Sequence, residues 1–142
     1  MKLLLLTSML LLPFLSLQAF AEPVTCKVDE VIDGNTFTCI GGQKIYIWGI
    51  DAPNVAPLVS DEEAQKNNGN KAKEYLTSYI KGKDLICHIK GMRKEGIVAQ
   101  CINDLKVKSY DIAVPLFNSG YVKELEDITK GYYRKGKYPR GL

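Results

Sequence analysis

The sequence predicts a small closed β-barrel carrying helices, of the α+β class. Three observations predict it. Five short runs rich in β-branched and aromatic residues succeed one another along the chain. A helical pattern follows the third run and a second, shorter one follows the fifth. No internal repeat, low-complexity stretch or linker divides the chain, so one compact unit is expected. Closing five short strands into a barrel leaves no edge exposed.

The elements are justified in order. "TCKVDEVIDGNTFTCI" reads as two short strands around Asp33-Gly34, a favoured hairpin dipeptide. "QKIYIWGI" is a third strand, closed by Gly49. "DAPNVAPLVS" is a loop punctuated by Pro53 and Pro57. Ala72, Tyr75, Leu76, Tyr79 and Ile80 then fall on one helical face, with Lys71, Lys73, Glu74 and Lys81 elsewhere. Asn70 is the expected N-cap of this helix and Gly82 its expected stop. "DLICHI" and "IVAQCI" are two more strands, joined by the polar "KGMRKEG". A short helix is expected from about Asp111 to Gly120, with Pro115 tolerable near its first turn. Beyond it Leu125, Ile128 and Tyr132 give only weak periodicity. Gly131, Gly136 and Pro139 argue against a long final helix.

The first 21 residues read as a secretory signal. Lys2 opens them, an apolar run continues from Leu3, and the small-x-small triplet Ala19-Phe20-Ala21 closes them, so cleavage is expected after Ala21. The run, broken by Pro13, is shorter than the ~20 residues that span a bilayer, so no stable membrane anchor is expected after cleavage. A secreted or periplasmic domain from Glu22 to Leu142 remains, with a core over about 24–122 and a basic tail over 123–142. Its charge is slight, because 18 Lys and Arg face 16 Asp and Glu once Lys2 is removed. That balance neither demands nor excludes nucleic acid. After Asp127 come Lys130, Arg134, Lys135, Lys137 and Arg140 with no acid. Such a tail can follow phosphates, although a solvated, frayed end is the plainer expectation.

The cysteines are four in number, and none forms a close pair that would suit zinc; the single histidine is His88. Disulfides fit an oxidising compartment better. Cys26 and Cys39 flank the Asp33-Gly34 turn almost symmetrically, and Cys87 and Cys101 flank Lys94. Each pair is expected to face across a hairpin, with the alternative pairings left open.

In order along the chain, "VIDGNTF", "IYIWGIDAPN", "GNKAKEYL", "IVAQC" and "DIAVPLFNSGYV" resemble the staphylococcal nuclease (thermonuclease) family from about Val24 to Val122. The closing "RGL" is similar too. The resemblance implies a five-stranded OB-fold barrel with helices. It also implies descent from calcium-dependent enzymes that hydrolyse phosphodiesters in DNA and RNA. That chemistry needs a hard dication held by oxygens beside the scissile phosphate. It needs a carboxylate to orient or deprotonate the attacking water. It also needs two guanidinium forks on the phosphate.

Carried over by motif, these roles fall mostly on residues that cannot perform them. The first metal carboxylate falls on Asn35. The second is kept as Asp51, with the Ala52 carbonyl as an adjoining oxygen, although Asp51 can equally be a structural loop acceptor. The general base falls on Asn54, whose amide has no useful proton affinity near neutrality. The first phosphate arginine falls on Tyr46 and the second on Gly96, with Arg93 and Lys94 nearby as a shifted cation. A missing base costs ~10²–10⁴ in rate and a missing transition-state donor ~10²–10³. The resemblance therefore implies a nuclease scaffold without efficient hydrolysis, acting as a binding or interaction module.

No catalytic residue is assigned, no cofactor is expected, and calcium enters only if residual activity exists. Nucleic acid or nucleotide is the candidate ligand, and the chain is expected to be a monomer. Two alternatives stand beside this reading. One is a weak or repurposed nuclease using Arg93, Lys94, Asp33 and Asp51. The other is an envelope structural protein without nucleic-acid affinity. Tyr46, on one strand face with Lys44 and Trp48, is expected either to stack on a base or sugar or to pack in the barrel. His88, next to Cys87, should face solvent. Tyr132, Tyr133 and Tyr138 interleave with the tail's basic residues, a pattern compatible with strand contact.

Overall fold

The computed structural model describes residues 21–55, 67–105 and 108–138. The expected signal segment before Ala21, the second half of the proline loop and the chain end from Pro139 onward lie outside these residues. Among the described residues, eight strands and three helices follow in order. They are β1 (Val24–Asp33), β2 (Thr36–Cys39), β3 (Lys44–Ile47), β4 (Ile50–Asp51), α1 (Asn68–Ile80), β5 (Asp84–Arg93), β6 (Gly96–Leu105), β7 (Lys108–Asp111), α2 (Ala113–Ser119), β8 (Lys123–Glu124) and α3 (Glu126–Thr129).

β3, β2, β1, β5 and β6 pair in that order, and β3 closes on β6 in parallel at Ile45↔Ile97, Tyr46↔Val98 and Ile47↔Ala99. This is a closed five-stranded barrel. β7 extends it beyond β6, and β4 pairs separately with β8. Inward residues alternate along the strands, as period-two geometry requires: Ile45 and Ile47 are buried whereas Lys44 and Tyr46 are not. Phe37, Leu85, Cys87, Ala99 and Cys101 fill the interior, and Leu76 and Ile80 of α1 lie over it with no exposed surface.

Closure depends on Gly96. A Cβ at this residue would stand 2.4 Å from the Lys44 carbonyl oxygen, so only glycine lets β6 approach β3 so closely. Outside the seam, Lys44 and Glu95 form an ion pair at 3.0 Å. Cys26–Cys39 and Cys87–Cys101 are disulfide-bonded, as their spacing predicts. The second pair lies directly opposed in the β5–β6 register. Two buried disulfides are compatible with an extracellular or periplasmic location. Among the described residues no helix is long and apolar enough to cross a membrane.

Four local expectations need correction. The first turn is centred one residue late, on Gly34-Asn35, because Asp33 Oδ1 accepts the Asn35 N–H at 2.9 Å and Asp33 itself pairs with Thr36. The long helix starts three residues early, capped by Asn67, whose side chain accepts the Asn70 N–H. The polar "KGMRKEG" is not all loop, since β5 runs to Arg93 and only Lys94-Glu95 turns. Finally, the described tail is no frayed end: β8 and α3 fold onto the barrel, and Tyr133 is 1% exposed.

The tail docks on the turn that ends β3. The Leu125 N–H donates to the Gly49 carbonyl at 2.8 Å, and the Tyr133 hydroxyl donates to the Trp48 carbonyl at 3.2 Å. Gly49, at φ +80°, leaves room for Thr129 and Tyr133; a Cβ there would meet the Thr129 methyl at 2.5 Å. Glu124 locks the tail by accepting the backbone N–H groups of Tyr133 and Arg134 and the Thr129 hydroxyl. Burial works to raise the Glu124 carboxyl, but these bonds outweigh it and hold the group below its ordinary range. Its contribution to stability is present above the ordinary carboxylate pKa and is lost as pH falls through the depressed one.

Candidate functional site

A cleft of about 270 Å³ opens where the β1–β2 turn, β3, β5 and the docked tail meet. Tyr46 and Trp48 line one wall, because alternation turns both to the face away from the core. The other wall comes from the far end of β5. There the register slips between Ile89↔Ala99 and Gly91↔Val98, leaving Lys90 as an extra residue. A bulge of this kind bends a strand and re-aims its side chains.

As a result Lys90 Nζ lies 5.5 Å from the centre of the Trp48 ring, and the Arg93 guanidinium carbon 4.5 Å from that of Tyr46. Both cations are exposed, so each such contact contributes about 0.5–1 kcal/mol. Met92 and Ile128, 74% and 55% exposed, border the same cleft. None of the described residues lining it is acidic. Two cations above two aromatic faces suit an anionic ligand with a planar part.

Asn35 sits at the edge of this cleft, with both ends of its amide engaged. Its Nδ2 donates to the Ile50 carbonyl at 3.2 Å, and its Oδ1 accepts from the Thr36 hydroxyl at 3.1 Å. The amide thus ties the β1–β2 turn to β4, a role that a carboxylate, lacking a donor, cannot fill. Asn35→Asp is expected to cost about 1–2 kcal/mol, read as a lower urea midpoint, with no calcium-dependent recovery. Recovery by calcium would mean that a metal site persists.

The remaining motif positions are dispersed. Asp51 is exposed, pairs through its backbone with Lys123, and does not line the cleft. Asn54 is exposed in the loop beyond β4. Gly96 lies at the barrel seam, where its identity has a structural reason of its own. Asp33 is occupied by the turn. Lys94 is exposed in the β5–β6 turn, and His88 faces solvent as expected. No group of three or more His, Cys, Asp or Glu side chains suited to a metal comes together among the described residues.

Two residues behind the cleft escaped the sequence reading. Asp111, buried at the end of β7 just ahead of α2, accepts the Ala113 N–H on Oδ1. On Oδ2 it accepts Gln100 Nε2 at 2.8 Å and the Tyr133 hydroxyl at 3.2 Å. Burial raises its carboxyl above the ordinary range, against these bonds and the nearby Lys90 charge. The sign follows: the fold favours protonated Asp111, so its contribution is fullest in acid and falls as pH rises through the raised pKa. Burial and the Asp111 charge likewise push the Tyr133 phenol up. In the sequence Asp111 was visible only as a helix cap, and Tyr133 only as one tail tyrosine among three.

No protein-family model matches the chain, and no curated protein matches it either.

Proposed function

We propose that this chain is a secreted or periplasmic relative of the staphylococcal nucleases. In this reading the barrel is an OB-fold that has lost efficient phosphodiester hydrolysis and holds nucleotides or single strands without cutting them. The strand order supports the scaffold: the first strand lies between the second and fourth barrel strands, and the third closes on the fifth. OB-folds bind strands on such a face.

The observation that carries the functional reading is the exchange of chemistry within one cleft. Where the family would need a metal carboxylate stands an amide engaged by Ile50 and Thr36. Where it would need a phosphate arginine stands Tyr46, with Arg93 laid over its ring. Arginine and lysine can follow phosphates electrostatically, and the tyrosine and tryptophan faces can stack bases. Neither pair can activate water.

The purified protein is expected to bind a short single-stranded oligonucleotide with steep salt dependence. Arg93→Ala should reduce the slope of log affinity against log salt by about one, and calcium should not induce cleavage. Binding that ignores salt would favour a structural role instead. Calcium-dependent cleavage that disappears in Asp51→Ala would establish a repurposed nuclease.

A further inference from the structure

The cleft's aromatic wall is wired to a buried carboxylate. The Tyr133 hydroxyl stands 3.2 Å from the Trp48 carbonyl oxygen and 3.2 Å from Asp111 Oδ2, yet it has a single proton to donate. We propose that Asp111 is a positioning residue for Trp48: its protonation decides, through the Tyr133 hydroxyl, whether the Trp48 carbonyl receives a hydrogen bond.

With Asp111 ionised, the stronger acceptor draws the Tyr133 proton, since bonds to charged groups exceed neutral ones. The Trp48 carbonyl then goes without a partner. With Asp111 protonated, its own O–H donates to the Tyr133 oxygen, and the Tyr133 proton turns to Trp48. Each state keeps every proton accounted for: one enters at Asp111, one hydroxyl reorients, and no bond between heavy atoms changes. Gln100 Nε2 and the Ala113 N–H continue to donate to the carboxyl in both states.

The arrangement is suited to titrate away from ordinary aspartate pH. Asp111 is 7% exposed, and its burial favours the neutral form. The ionisable groups facing it are few. Lys90 of β5 acts against that trend, and His88 lines the same outer cleft. Tyr132 and Tyr133 approach from the tail and Tyr79 from α1, all with raised phenols that stay neutral. Glu124 acts only at second hand, through Tyr133. Protonation therefore firms the Trp48 turn. Its bearing on affinity rests on the strand-binding reading above; the relay itself does not.

The test uses Trp48, the only tryptophan in the chain, in the purified protein without ligand. Its emission should change with pH, with a midpoint above the ordinary aspartate value of about 3.9. Asp111→Asn, which imitates the protonated acid, should hold the acid-form emission at every pH. Tyr133→Phe should abolish the transition, and His88→Asn should leave it in place. A transition that survives either of the first two variants, or is lost in the third, overturns the relay. So does a wild-type protein with no transition above the aspartate range. Oligonucleotide affinity, measured alongside, should be higher on the acid side. If the emission behaves as expected but nothing binds at any pH, the relay stands and the strand-binding reading falls.

Discussion

Gly96→Arg is expected to destabilise the folded chain by roughly 2–3 kcal/mol and to create no phosphate clamp. By motif, Gly96 is where a phosphate arginine has gone missing, which suggests that the arginine could simply be returned. The barrel seam argues otherwise. Any side chain at this residue would begin with a Cβ 2.4 Å from the Lys44 carbonyl oxygen and 3.0 Å from the Lys44 Cβ. Backbone cannot yield as a flexible side chain would, so β6 would have to part from β3 along the parallel ladder that closes the barrel. Urea denaturation of Gly96→Arg and Gly96→Ala measures the effect. If Gly96→Arg keeps wild-type stability and gains affinity for an oligonucleotide, Gly96 is a vacated clamp rather than a closure glycine.

Tyr133→Ala should cost about 3–5 kcal/mol, the range for deleting a buried aromatic side chain. Tyr133 is buried among Trp48, Phe117, Tyr132 and Tyr138, and its hydroxyl reaches Trp48 and Asp111. Removing the ring leaves a cavity and takes away the one hydroxyl proton that the Trp48 carbonyl and Asp111 share. Against a typical total stability of 5–15 kcal/mol, such a loss would leave the fold marginal. The tail residues beyond Val122 would thereby be shown to belong to the core. A melting midpoint close to wild type would instead mean that the tail contributes little to the fold.

These two expectations mark where the sequence was read well and where it was not. The barrel strands were legible because alternation and turn residues are local signals. "KIYI" announces a half-buried strand in four residues, and Gly82 and Gly120 announce helix ends. The tail was illegible for the opposite reason. β8 and α3 are two and four residues long, too short for any periodicity to register, and they exist only because Glu124 and Gly49 supply partners. Glycines and lysines around Tyr132 and Tyr133 resemble a frayed end until the ring of Tyr133 is seen beneath them.

The candidate site divides in the same way. Asn35 and Asp51 could be singled out because they stand in short motifs, but a motif says nothing about what their side chains touch. The engagement of Asn35 by Ile50, fifteen residues away, appears only when the β1–β2 turn and β4 are brought together. Lys90 and Arg93 lay in a stretch expected to be mostly loop. Hydrogen bonding to β6 extends the strand through them, and the bulge at Lys90 sets where its ammonium goes.

By itself the sequence determined the barrel class and the long helix with its stop, and it favoured both cysteine partnerships that the structure shows. Each depends on residues only a few positions apart, or on symmetry about one turn. Tertiary structure alone decided that Arg93 covers Tyr46, that Lys90 covers Trp48, and that Asp111 meets Tyr133 behind them. Those contacts join residues from about 20 to nearly 50 positions apart. They arise from closing a sheet and burying a tail, and no local pattern of polarity encodes either event.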